Sequence, residues 1–324
     1  MVVFGKTTRQ IKKPVTFLDS ATFNGQVNFL QASNGGSIWY VDSSKTTSGD
    51  GKTWDDAFIT ITEGVAASLA AGGHHDTVLV AGTENEEDSG TLANDYTEDV
   101  TITAASVGLR LIGCGNSPEG IAWTTAASDG VILTINARDC YVSGFRFRPN
   151  GATSSVGIKA QTAADMSTNA MGLTVENCIF RSTAVTALAG ITIDGSNDVT
   201  IRNCLFTSVL TGILSISPGH SVQYRTLIEN NRFDDKCTNA IDIDARSGVI
   251  IRNMIGIGLT MTIRTNKFSV GKENIVYDNV IPAAAYETNA SGYSTDCWLG
   301  NKCIDTGNTD VDAAGNTLLY PNRA

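Results

Sequence analysis

The sequence predicts an all-β chain wound as a parallel β-helix, and three observations carry that expectation. The first is composition. Of 324 residues only 17% are charged and 7% aromatic, against 32 Gly, and Thr, Ser, Asn and β-branched residues recur throughout; this favours strand and turn over long surface helices. The second is a repeat. Leu173-Thr-Val-Glu-Asn-Cys-Ile-Phe180 returns as Val199-Thr-Ile-Arg-Asn-Cys-Leu-Phe206 and Thr226-Leu-Ile-Glu-Asn-Asn-Arg-Phe233, with the phenylalanines 26 and 27 residues apart and weaker copies starting at Val249, Met261 and Ile275. The third is a second strand between the copies: Gly190-Ile-Thr-Ile-Asp194, Gly212-Ile-Leu-Ser-Ile-Ser217 and Ala240-Ile-Asp-Ile-Asp244. A period in the twenties built from short β segments, too poor in helix for leucine-rich or ankyrin repeats, specifies a solenoid in which each repeat is one coil.

Along the chain, residues 1–37 form an extended arm followed by short strands. The arm carries Lys6, Arg9, Lys12 and Lys13 and no acid, on a chain whose formal net charge is −10, so it is suited to docking on an acidic neighbour. After it, Phe17, Phe23, Val27 and Phe29 alternate within two short stretches that cannot bury both faces alone, so copies of the chain are expected to pack them as trimer contacts. Residues 38–98 hold a first strand, one amphipathic helix over 55–71 and the strand 78–82. The helix opens on Asp55 and Asp56, repeats Phe58, Ile61, Val65, Ala66 and Leu69 at three- and four-residue intervals, and stops at Gly72-Gly73. It is expected to cover the open end of the solenoid, which would otherwise expose backbone and core.

Residues 99–324 are the coils. Equivalent positions on successive coils lie about 4.8 Å apart in a parallel stack. Asn177, Asn203 and Asn230 are therefore expected to form an amide ladder at a turn, Phe180, Phe206 and Phe233 to stack inside, and Cys178 and Cys204 to share a column. Seven Cys scattered singly at 114, 140, 178, 204, 237, 297 and 303, with no CxxC pair, fit reduced buried thiols rather than a disulfide framework or zinc site.

Several function classes are disfavoured. A sequence pI near 4.8 without a dense Lys/Arg stripe cannot neutralise a run of phosphates, so neither nucleic acid nor an anionic membrane is an expected partner. No apolar run approaches a membrane span, and Met1–Pro14 lacks the apolar core of a signal peptide, so the chain is expected to stay in the cytoplasm where it is made until released. Three His (His74, His75 and His220) leave little for metal chemistry, and no metal or cofactor is expected. His74-His75 reads as a helix end and Ser217-Pro-Gly-His220 as a turn.

If the chain is an enzyme, its best carboxylate set is Asp194, Asp242 and Asp244. With Ile191, Ile193, Ile241 and Ile243 inward, Asp242 and Asp244 point outward about 7 Å apart and Asp194 lies two coils away, at about 10 Å, a geometry open to glycoside hydrolysis. The competing reading is a solvated acidic face that keeps a solenoid soluble. A calcium-dependent lyase would need a basic proton acceptor such as Arg246 or Arg225, and no spacing selects either.

Residues 38–83, with their Tyr-Val-Asp, Gly-Asp-Gly and Trp loop, helix and closing Asp-Thr-Val-Leu-Val-Ala-Gly-Thr strand, resemble the opening of the pectate-lyase-like superfamily. That resemblance, covering 38–324, implies a right-handed, single-stranded parallel β-helix with an N-terminal capping helix. A narrower similarity is to bacteriophage virion proteins, whose β-helices follow short strands like Thr22–Phe29 that associate as trimers. It implies a homotrimeric capsid decoration (cement) protein on the head surface, assembled in the host cytoplasm, with the major capsid protein or another virion protein as partner. The alternative it leaves is a short tailspike that binds or cleaves host surface glycan. No C-terminal β-prism of the tailspike kind is expected from the residues after the last coil.

Overall fold

A computed structural model describes residues 36–303 apart from 73, 83–95, 116–117, 119–120, 128, 150–152, 162–169, 183–186, 217–222, 235, 257–258, 260, 266–272 and 282–295. The arm lysines and arginine (Lys6, Arg9, Lys12, Lys13) and the trimer residues Phe17, Phe23, Val27 and Phe29 lie outside the described residues.

The chain is a right-handed parallel β-helix. Its strands stack into sheets of ten, nine and seven strands, each strand pairing in parallel with its counterpart one coil away. One coil runs from Thr174–Glu176 in the ten-strand sheet to Ile179–Arg181 in the nine-strand sheet, then to Ala189–Asp194 in the seven-strand sheet. Thr200–Arg202 begins the next coil beneath Thr174–Glu176. The ten-strand sheet is bracketed by two columns of left-handed residues. Asp139, Asp198, Arg225, Ser247 and Glu273 stand two positions before their strands, and Asn177, Asn203, Asn230, Arg252 and Asp278 stand directly after, all with φ between 52° and 60°. Left-handed backbone costs a non-glycine residue about 1–2 kcal/mol, least for Asn and Asp. Eight of these corners offset part of that by a bond across coils, such as Arg225 N–H to Arg246 O at 3.0 Å and Arg252 N–H to Tyr277 O at 3.2 Å.

Inside, the phenylalanine column forms as the repeat requires. Phe147, Phe180, Phe206 and Phe233 are fully buried and stacked, with successive centroids 5.2, 4.9 and 4.8 Å apart and planes within 8°. Three rings lie against glycines of the seven-strand sheet: a Cβ added at Gly157, Gly190 or Gly212 would meet Phe180, Phe206 or Phe233 at 2.8, 2.7 or 2.5 Å. The repeated glycine therefore leaves space for a ring and for a carbonyl of the next coil, since the same Cβ would lie 2.6, 3.0 or 2.7 Å from Gly190 O, Gly212 O or Ala240 O. Gly190→Ala is expected to destabilise the chain by about 1–3 kcal/mol through overpacking, measured by urea denaturation.

The helix is shorter than its periodicity predicts. It spans Ile61–Ala70, and Asp55 and Asp56 fall in a turn ahead of it. Thr60 is the true N-cap, in a capping box with Glu63, and the Glu98 carboxylate accepts from the N–H groups of Ile61 and Thr62 at 2.8 Å each. Local acid placement was the wrong cue because the cap is completed by a residue 37 positions away. The helix does lie on the first coils: a Cβ at Gly64 would come within 2.8 Å of Val41 and 2.9 Å of Val78, two fully buried strand residues. Another expectation fails at Met261–Arg264, which pairs with Asn239–Asp242 in the seven-strand sheet and is not a copy of the Leu173 unit.

The amide ladder is also displaced by one residue. Asn177, Asn203 and Asn230 are exposed corner residues joined by one side-chain bond, Asn230 Nδ2 to Asn203 Oδ1 at 2.6 Å. The buried ladder runs through Asn231, Asn253, Asn279 and Asn301. Each of the first three donates from Nδ2 to the next Oδ1, at 3.0, 2.9 and 2.9 Å. Each also donates its own backbone N–H to that oxygen, at 3.0, 2.9 and 3.0 Å. The second Nδ2 hydrogen reaches back to a carbonyl of the preceding coil, as from Asn253 to Ile228 O at 3.0 Å. Cys178 and Cys204 continue this column upward, and Cys204 N–H donates to Asn231 Oδ1 at 2.9 Å.

Candidate functional site

Asp194 and Asp242 end strands of the seven-strand sheet, each next to the inward column of Ile158, Ile191, Ile213, Ile241 and Ile263 or its neighbour Ile193, and Asp244 lies two residues past the end of Asn239–Asp242. They are not solvating charges. Asp194, Asp242 and Asp244 are 7%, 5% and 5% exposed, so the soluble acidic face expected of this sheet is absent at these positions. Strand pairing places Asp242 beside Arg264 on the next coil, and the guanidinium takes both carboxylate oxygens, Nε to Oδ1 at 2.5 Å and Nη2 to Oδ2 at 2.8 Å. Both oxygens of Asp242 are thus engaged by one guanidinium group. Asp194 and Asp244 are also held in polar contacts.

The corner that follows is a buried polar cluster. Ser215 Oγ accepts from Gln223 Nε2 at 2.6 Å and from the N–H of Asp244 at 3.0 Å, and Gln223 Nε2 also donates to Ile193 O at 3.1 Å. These bonds tie three successive coils together. Arg225, one of the two bases named for a lyase, forms a bidentate pair with Asp198 on the coil above, at 2.6 and 2.7 Å. The other, Arg246, lies over the Tyr224 ring, 5.7 Å from its centroid. Each of these two bases thus serves a neighbouring coil.

A concavity of about 550 Å³ runs along the corner between the ten- and nine-strand sheets. Asn177, Asn203 and Asn230 form its crest, Ile179, Leu205 and Arg232 its side, and Cys178 and Cys204 its floor. Burial, with a hydrogen bond from Cys178, pushes the Cys204 thiol well up, and burial pushes Cys140 up to about 12. Neither is a nucleophile at neutral pH. Cys140, Cys178, Cys204 and Cys237 are buried free thiols, as expected from their scatter, whereas Cys114 is exposed. Iodoacetamide at pH 8 is expected to label Cys114 on the folded protein and Cys140 and Cys204 only after unfolding, read by mass spectrometry. The same shift has a pH consequence: between pH 9 and about 12 the unfolded chain gives up a Cys140 proton that the folded chain keeps. Stability is therefore expected to be intact below pH 9 and to fall above it.

Among the described residues no group of three or more His, Cys, Asp or Glu is arranged to hold a metal ion. His75 occupies the first left-handed corner, with φ 58°, ahead of Thr77–Val80. Its role is to turn the chain after the cap.

No family model matches the sequence, and no curated protein matches it. Similarity appears among solved structures. The Escherichia coli protein ybhc matches over 92% of this chain and 84% of its own, at 11% identity and a TM-score of 0.50. A pectin methylesterase from Aspergillus niger matches over 87% and 88%, at 13% identity and a TM-score of 0.46. The Dettilon tailspike protein matches over 81% and 66%, at 10% identity and a TM-score of 0.33. At such identities the likeness is one of fold.

Proposed function

We propose that this chain is a bacteriophage virion-surface protein, a homotrimeric decoration that reinforces the head lattice. The observation that carries the reading is where the polar side chains go. The carboxylates, amides and guanidinium groups best placed for chemistry are engaged between coils: Asp242 with Arg264, Asp198 with Arg225, and the buried ladder from Asn231 to Asn301. A solenoid cross-linked this way resists bending and unwinding, which a lattice reinforcement requires. The basic arm of Lys6, Arg9, Lys12 and Lys13 on an acidic chain supplies an electrostatic tether to a capsid protein. The test is particle stability: capsids lacking the protein should burst at lower temperature, and protein without residues 1–13 should rebind them weakly and in a salt-sensitive manner. Equal stability of bare and decorated particles overturns the reading.

A short tailspike acting on host surface glycan is the second reading, favoured by the placing of Asp194 and Asp242 at strand ends of one sheet with Asp244 two residues beyond. It predicts that the purified protein releases new reducing ends or unsaturated sugars from host envelope polysaccharide, and that Asp194→Asn with Asp244→Asn abolishes the release. Under the decoration reading no release occurs.

A further inference from the structure

The repeated Asn-Cys pair sets two thiols next to each other in one interior column. Ile179 pairs with Leu205, so the residues before them, Cys178 and Cys204, hold equivalent places on adjacent coils, about 4.8 Å apart in a parallel stack. Other chemistry bounds the pair on both sides. Pairing of Ile179 with Arg146 puts Phe145 next to Cys178, and pairing of Leu205 with Arg232 puts Asn231 next to Cys204. Phe145 is a fully buried ring, and Asn231 Oδ1 is already engaged by the Cys204 N–H at 2.9 Å. The sulfurs face each other: Cys204 Sγ leans toward its partner's coil, 3.9 Å from Val175 O, and the two thiols share a hydrogen bond. Both also line the concavity of about 550 Å³, which gives a small ion a route to side chains that are otherwise buried. Cys140 has no such neighbour, because strand pairing places it between Leu109 and Leu173.

We infer that Cys178 and Cys204 form a two-coordinate site for a soft monovalent cation of the Cu(I) class, held between two coils. Spacing selects the coordination number. Two collinear metal–sulfur bonds, each on the order of 2.3 Å, span about 4.6 Å, close to the separation that one coil sets. Tetrahedral zinc needs four ligands, and among the described residues no group of three or more His, Cys, Asp or Glu is gathered to supply them. Softness selects the ion. Sulfur is the donor on offer, and the amide oxygen of Asn231 is both hard and already engaged. The binding step balances without redox chemistry: Cu(I) bonds both sulfurs, each thiol releases its proton to solvent, and no atom changes oxidation state. The product carries one negative charge, which the exposed guanidinium of Arg232, lining the same concavity, offsets. The ion joins two coils directly above the buried amide ladder. This site goes beyond the virion reading and does not depend on it.

The experiment uses the full chain, reduced and kept free of oxygen, with Cu(I) added in equal amount and then challenged by a colorimetric Cu(I) chelator. Native mass spectrometry is expected to find one copper atom in place of two thiol hydrogens on the folded chain. X-ray absorption is expected to find two sulfurs about 2.3 Å from the copper and no nitrogen. Cys178→Ser and Cys204→Ser should each weaken retention at least as much as the loss of an outer-shell partner does, roughly 100-fold. Cys114→Ser and Cys297→Ser, which change the thiols that are not buried among the described residues, should keep the ion, as should Cys140→Ser. A wild type that yields its copper to the chelator, a shell with nitrogen or a third sulfur, loss of the ion in Cys114→Ser or Cys297→Ser, or its retention by Cys204→Ser overturns the inference. The absorption spectrum needs no substitution and Cys114→Ser changes an exposed side chain, so a buried variant that fails to fold does not block the decision.

Discussion

Phe206→Ala is expected to lower stability by about 3–5 kcal/mol. The ring is fully buried, stacked between Phe180 at 4.9 Å and Phe233 at 4.8 Å with planes 7° from parallel. Its removal deletes two aromatic contacts, each worth about 0.5–1.5 kcal/mol beyond area burial, and opens a cavity that neighbouring coils cannot close without breaking their pairing. The glycine column supplies a sharper check. Gly190→Ala overpacks the wild type because its Cβ would lie 2.7 Å from the Phe206 ring; in the Phe206→Ala background only the Gly212 carbonyl, at 3.0 Å, stays close, so most of the cost should vanish. A coupling of this sign in a double-mutant cycle by urea denaturation identifies the ring as the reason for the glycine. Additive effects would disprove it.

Asn253→Leu is expected to cost about 3–6 kcal/mol, although leucine matches asparagine in approximate size. Asn253 Oδ1 accepts both the N–H and the Nδ2 of Asn231, and its own Nδ2 donates to Ile228 O and Asn279 Oδ1. Substitution orphans two buried donors on Asn231, each costing about 1–3 kcal/mol, and removes a donor from a buried carbonyl. Asn203→Gly tests the other asparagine column. That side chain is exposed, accepts a single bond from Asn230, and sits at φ 54° where glycine is at ease, so its change should stay within about 1 kcal/mol. Thermal or urea unfolding of the pair separates the ladders. Equal losses would mean the buried amides are not what joins the coils.

The contrast between those two asparagines shows where the sequence text misleads. Aligned by eye, Val249-Ile-Ile-Arg-Asn looks like Val199-Thr-Ile-Arg-Asn, which puts Asn253 with Asn203. Strand pairing instead sets Ile228 opposite Ile250 and Leu227 opposite Val249, one residue away. Arg252 then takes the left-handed corner, and Asn253 falls in the buried column of Cys204 and Asn231. A one-residue slip exchanges the two faces of a strand. The available signal was an Asn just before each later strand of the nine-strand sheet, at 231, 253, 279 and 301; it was hidden because a corner Asn precedes it only at Asn230.

The solenoid class, the interior phenylalanine column, the neighbouring Cys178 and Cys204 and a helix over the first coil were all legible from spacing, because each follows from a period or an amphipathic pattern within one stretch of chain. Which residue fills a corner, which sheet receives Met261–Arg264, what caps the helix and whether Asp242 meets water or Arg264 were decided only in three dimensions. Those outcomes depend on bonds between residues 22 to 37 positions apart. The coils differ in length, so equivalent positions are brought together by strand pairing and core packing, and no fixed sequence interval identifies them.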